Sequence, residues 1–246
     1  LASAETAARF EQRSLDNPDV KKFLEESLRQ ELPAWPLLSW DLNALTVAAF
    51  YYHPDLDIAR AKWSGAKAAL ITGGERPNPS VSLAPAYDTT TPPPWILGLS
   101  FDIPVETAGK RGYRIAQARH LSEAARLNLA ATAWQVRSRV RRSLLELYGA
   151  RESESAQNQQ ADALTKIVGL LERLVEAGVA SPIELTQARI NLNTTRLASQ
   201  DAQRQNAEAR VQLADALGLP ASALFDVKLS SAGLNEFPKD LMSSEV

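Results

Sequence analysis

Glu176-Ala177-Gly178-Val179-Ala180-Ser181-Pro182-Ile183-Glu184 stops one helix and starts another. Gly178 has no Cβ and enters the left-handed region freely, so it suits the position just past a helix end. Ser181 restarts the helix: its hydroxyl can accept from the amide of Glu184, and Glu184 can reach back to the amide of Ser181. Pro182 takes the first helical position, where a missing N–H costs nothing. Upstream, no proline falls between Pro104 and Pro182, and good helix formers (Ala, Leu, Arg, Gln, Glu) dominate the interval. The spacing therefore predicts a helix over 113–177 and a returning helix over 182–217, closed by Gly218-Leu219-Pro220. At ~1.5 Å per residue the first would reach on the order of 100 Å and the second about half that. Rods of this length belong to a conduit or strut more than to a catalyst.

The returning helix carries its own seam. Leu185, Ala188, Leu192, Thr195, Ser199, Ala202, Asn206, Ala209, Leu213 and Ala216 follow at alternating spacings of three and four, a heptad that implies left-handed supercoiling against a partner helix. Leu164, Val168, Leu171 and Val175 supply the matching face near the break, while the polar run from Arg151 to Asp162 is expected to face water. A second stripe, Ile183, Ile190, Leu197 and Val211, lies on another face of the returning helix. It fits helical neighbours on two sides, as in a helical wall; an ordinary antiparallel coiled coil explains the main seam equally well.

Before the long helices lies the one β-like region. Val81, Leu83, Pro85 and Tyr87 alternate with Ser80, Ser82, Ala84 and Ala86, and Trp95, Leu97, Leu99, Phe101 and Ile103 with Ile96, Gly98, Ser100 and Asp102, so one face is apolar and the other mostly small or polar. The expected strand pair spans 80–103, its connector Asp88–Pro94 ending in three prolines. Each segment matches the roughly 9–11 residues of a tilted membrane-crossing strand, with Tyr87, Trp95 and Phe101 placed for interfaces. A half-buried antiparallel hairpin has the same alternation, and two strands alone cannot close a barrel. Further upstream, Asn17-Pro18 starts a helix near Asp19–Arg29, and Asp41 caps one through Tyr52. His53-Pro54 bends the path before an alanine-rich helix that ends at Gly73-Gly74.

Composition removes several functions. A net charge of −2 leaves no basic footprint for nucleic acid, and Arg137, Arg139, Arg141 and Arg142 read as a solvated helix face. With no cysteine there are no disulfides, thiolate metal sites or thiol nucleophile. No apolar stretch approaches the ~20 residues of a membrane helix, and no signal peptide opens the chain at Leu1, which leaves a removed leader open. His53 and His120, 67 residues apart, sit in no nucleophile or metal pattern, and His53 reads as a cap or turn residue. Gly73-Gly74 and Gly109–Gly112 lack the context of phosphate or dinucleotide loops, and Met242 is the sole methionine. No catalytic, cofactor or metal residue is assigned, and the chain is not expected to be an enzyme.

Three strings in order, His53-Pro54-Asp55-Leu56-Asp57-Ile58-Ala59-Arg60-Ala61, Arg76-Pro77-Asn78-Pro79-Ser80-Val81-Ser82-Leu83 and Ala108-Gly109-Lys110-Arg111, resemble signatures of the TolC family of outer-membrane efflux proteins. The break, with Glu184, Leu185 and Ala188, resembles the periplasmic tip of those channels, and Gly109-Lys110-Arg111 is most similar to the CzcC-like heavy-metal branch. The resemblance implies a mainly α fold, a long antiparallel helical hairpin with a two-stranded β-hairpin. It also implies a homotrimer in the outer membrane and periplasm of a Gram-negative bacterium, in contact with outer-membrane lipid. Such a duct receives metal ions or small organic compounds from a periplasmic membrane-fusion adaptor and an inner-membrane transporter. On this reading 1–39 is a helical extension, 40–220 a first TolC-type repeat and 221–246 a linker. Gly178, Val179, Ala180 and Ser181 form the adaptor-facing tip, and Val81, Leu83, Tyr87, Trp95, Leu97, Leu99 and Phe101 are the membrane-strand residues. Family protomers hold two tandem repeats, whereas this chain shows one, and Phe237-Pro238-Lys239-Asp240-Leu241 with Ser244-Glu245-Val246 resembles the opening of a second. The expectation is a truncated chain whose trimer would supply six strands instead of twelve. The other reading is a soluble helical-hairpin adaptor or scaffold of the periplasm.

Overall fold

The structure, a computed structural model, describes residues 3–87, 90, 92 and 95–231. Most of the Asp88–Pro94 connector, Met242 and the two strings from Phe237 onward lie outside the described residues. Element order is α1 (Ser3–Glu11), α2 (Pro18–Leu28), α3 (Leu42–Tyr52), α4 (Pro54–Gly74), β1 (Ser80–Tyr87), β2 (Trp95–Asp102), α5 (Lys110–Glu176), α6 (Pro182–Leu217) and a 3-10 turn at Ala221–Leu224. Among the described residues the fold is mainly helical with one two-stranded antiparallel sheet, as expected. Two compact units divide the chain: Leu1–Pro54 with Ala133–Val246, and Asp55–Thr132.

In the first unit, local chemistry sets the helix ends. Asn17 accepts from the Asp19 amide at the start of α2, and Asp41 accepts from the Ala44 amide at 2.8 Å at the start of α3. His53 caps the end of α3, its amide bonded to Ala49 O. Its ring is buried, with Nε2 3.1 Å from Arg139 Nη1, so it serves the structural role read for it. Val20, Leu24, Leu45, Ala48, Leu213, Leu217 and Leu224 make the core where α2, α3, α6 and the 3-10 turn meet. Each large member stabilises the unit by about 1.5–3 kcal/mol relative to exposure. Arg13 ties the cluster by donating to the carbonyls of Tyr52 and Gly218. A parallel bridge joins Trp40 to Leu229.

The seam forms as the heptad requires. All ten seam residues of α6 are buried or half-buried, as are Leu164, Val168, Leu171 and Val175 of α5. Polar links set an antiparallel register: Arg189 bonds Glu172 at 2.8 Å, Ser199 donates to Asn158, and Asn206 donates to Glu154. Here the expectation for Arg151–Asp162 is corrected. The run does not simply face water, because Arg151, Glu154, Gln157, Asn158 and Ala161 are half-buried. Its polar groups meet Ser199 and Asn206, where a polar group without a partner would be costly. The second stripe turns outward, with Ile183 80%, Ile190 52%, Leu197 67% and Val211 53% exposed.

In the second unit, β1 and β2 pair in the register Val81↔Phe101, Leu83↔Leu99, Pro85↔Leu97 and Tyr87↔Trp95. α5 begins at Lys110, three residues earlier than expected, and β2 ends at Asp102. Arg111 Nε donates to Gly74 O at 2.7 Å, fastening the end of α4 to the start of α5.

Candidate functional site

Strand side chains alternate faces with a period of two, so register decides whether two amphipathic strands reinforce or cancel each other. Here they reinforce. The four apolar pairs of the register fall on one face, and the four intervening pairs, Ser80↔Asp102, Ser82↔Ser100, Ala84↔Gly98 and Ala86↔Ile96, occupy the other, where every position but Ile96 is small or polar. Ser82 and Ser100 share a hydrogen bond of 2.7 Å across that polar face. Every membrane-strand residue read from the sequence lies on the apolar face and is exposed, from 57% at Leu99 to 70% at Leu97. Tyr87 and Trp95 stack edge-to-face with centroids 4.9 Å apart at the connector end of the pair. Gly98 keeps the strands close, since a Cβ there would lie 3.3 Å from Ala84 O.

The helical tip is built from backbone hydrogen bonds. Gly178, at φ +72°, sends its amide to Val175 O at 3.0 Å, and Val179 sends its own to Leu174 O at 2.8 Å. This pair of bonds is a Schellman closure. Ser181 then caps α6, with one correction to the expected box: its Oγ accepts from the Ile183 amide at 3.2 Å, not from Glu184. With Pro182 already fixing the first helical φ, the shorter two-residue turn satisfies an end amide without Glu184. Ala180 and Ser181 are half-buried, whereas Val179 is 76% and Ile183 80% exposed, leaving two apolar side chains outward at the tip.

Sequence reasoning missed the ionic latch at the other end of the strand pair. Arg114 makes a two-pronged salt bridge with Glu106 and also donates to Glu75 O at 3.3 Å. The Arg114 guanidinium holds the Glu106 carboxyl below the usual carboxylate range. Ala108 and Gly109 both take positive φ, +56° and +69°, in the turn between latch and helix. Opposite charges eight residues apart across a turn gave no periodic signal.

Among the described residues no group of acidic, histidine or cysteine side chains is arranged for a metal ion, and no helix is long and apolar enough to cross a membrane. The family model for outer membrane efflux proteins matches residues 52–219. This chain belongs to that family. Its fold is similar to the outer-membrane channel OprN (19% identity, TM-score 0.64, 77% of this chain and 46% of that one). It is also similar to VceC from Vibrio cholerae (21%, 0.61, 76% and 49%) and to CusC (20%, 0.63, 77% and 48%). The chain thus spans about half the length of these structures. No curated protein sequence matches it. Membership places the chain among outer membrane efflux proteins, in the outer membrane and periplasm.

Proposed function

We propose that the chain supplies one helix, strand, strand, helix repeat of a passive exit duct. The strand pair carries this reading, because the large side chains of its apolar face are exposed while the residues of its other face are mostly small or polar. A barrel wall needs lipid on one side and a wet lumen on the other. Both strands also need further neighbours, since open edges in hydrocarbon leave backbone groups unsatisfied. Other copies in a homotrimer, together with other segments, supply those neighbours, and the outward stripe of α6 gives the helices a second packing face. The repeat takes the bounds 40–220 read from the sequence. Gly178–Ser181 faces a periplasmic adaptor, which relays cargo from an inner-membrane pump. Metal ions or small organic compounds are the cargo that the family resemblance implies, the metal ions through the likeness of Gly109-Lys110-Arg111 to the heavy-metal branch. Transport needs no chemistry: helical hairpins splay or tighten at the tip as partners dock, changing the bore.

Gly178→Val tests the tip. A β-branched residue at φ +72° strains the closure, so efflux by cells carrying the variant should fall while the protein still reaches the outer membrane. Unchanged efflux would remove the tip assignment. Recovery of the wild-type protein as a detergent-independent monomer or dimer would replace the duct with a soluble scaffold.

A further inference from the structure

The helix-joined end of the strand pair differs chemically from its Tyr87–Trp95 end. Pro77, Pro104 and Val105 line an open cavity of about 340 Å³ together with Arg76, Glu106 and Arg111. Lys110 lies close enough to act electrostatically on Glu106 with Arg111. The acids nearby are Glu106, which Arg114 already engages, Glu75 beside Arg76, and Asp102 at the end of β2. Among the described residues Arg76 and Lys110 have no ion-pair partner, and both are exposed. Beyond β2 the apolar surface continues through Ile103 (68% exposed) and Val105 (79% exposed) to the rim of the cavity. The Arg111–Gly74 and Arg114–Glu75 bonds hold the rim in place before any ligand arrives.

We propose that Arg76, Lys110 and Arg111 form a headgroup site for an anionic phospholipid of the periplasmic leaflet, its acyl chains lying along the apolar face of the strands. The inference rests on the membrane reading of those strands and adds the lipid class. A phosphate suits this rim because cations on long apolar stems reach the headgroup layer while their stems cover hydrocarbon. Arg111 spends its Nε on Gly74 and keeps its terminal nitrogens for a phosphate oxygen. A zwitterionic lipid brings its own ammonium and gains less from the same three cations.

Two readouts on one preparation separate the inference from the reading beneath it. The protein is purified from outer membrane and reconstituted in vesicles of phosphatidylcholine alone or mixed with phosphatidylglycerol. Quenching of Trp95 by brominated acyl chains, with Trp95→Phe as the blank, reports strand insertion. Lipid retained through detergent extraction, weighed by native mass spectrometry, reports headgroup choice. Expected is a preference for phosphatidylglycerol on the order of tenfold that shrinks with salt. It should drop several-fold in Arg76→Gln/Lys110→Gln, whose side chains make none of the latch bonds, and persist in Arg76→Lys/Lys110→Arg. Free inorganic phosphate should not displace the lipid. Quenching with equal retention of both lipids would overturn the headgroup site and leave the strands in the membrane; absent quenching would overturn both.

Discussion

The α5–α6 seam and the β1–β2 pair are both apolar stripes of matching register, yet one closes inside the chain and the other does not. Leu213, Leu192 and Ala202 of the seam are buried, while Val81, Leu83, Leu99 and Phe101 stay more than half exposed among the described residues. Burial of the first set is folding energy. On the proposed duct reading, burial of the second is assembly and membrane energy. Period and register are legible locally, but what covers a stripe depends on what lies opposite.

Substitutions should therefore part company. Leu213→Ala opens a fully buried site and should cost about 2–5 kcal/mol in urea unfolding. Leu99→Arg should leave that unfolding midpoint unchanged but cost about 2–4 kcal/mol for a strand at the bilayer midplane, seen as protein lost from the outer-membrane fraction. If Leu99→Arg lowered the urea midpoint as much as Leu213→Ala, the two stripes would not differ in kind.

The two glycine caps sharpen the contrast. Gly218 and Gly178 share nearly the same φ, +73° and +72°. A Cβ at Gly218 would lie 3.0 Å from Tyr52 O and 3.2 Å from His53 Cα, whereas none of the surrounding atoms lies within 4 Å at Gly178. Gly178→Ala should cost roughly 1 kcal/mol of conformational strain, and Gly218→Ala more than about 2 kcal/mol, because packed backbone must also move. Equal losses would mean that the backbone at the α3–α6 junction yields to a Cβ without cost.

The smallest effect concerns pH. Glu106 has a depressed folded value, so its link to Arg114 contributes fully above the ordinary carboxylate range and is lost as pH falls through that lower value. Acid unfolding of Asp55–Thr132 should steepen below about pH 4 and flatten in Glu106→Gln. The same acid slope in both proteins would show that the latch is not a stability element.

Much of this was legible because its causes are local. Asn17, Asp41, Gly178 and Gly218 mark helix ends through bonds within a few residues, and the strand alternation needs only the pleat. Misreadings arose where a competing partner was close by or distant. Ser181 had two amides within reach and took Ile183. Arg151–Asp162 was read as solvent-facing because its composition says nothing of Ser199 and Asn206, which lie some 40–50 residues away and present matching polar groups. The Glu106–Arg114 latch depends on a turn whose positive φ at Ala108 no residue type announces.

With no cysteine in the chain, single labels can be placed cleanly along β2. The decisive measurement is nitroxide accessibility at Leu97, Leu99 and Phe101 against Gly98, Ser100 and Asp102 in the reconstituted protein. Alternation is expected at every residue: oxygen-accessible and shielded from a polar relaxation agent on the first set, the reverse on the second. Equal access of the polar agent to both sets would contradict it.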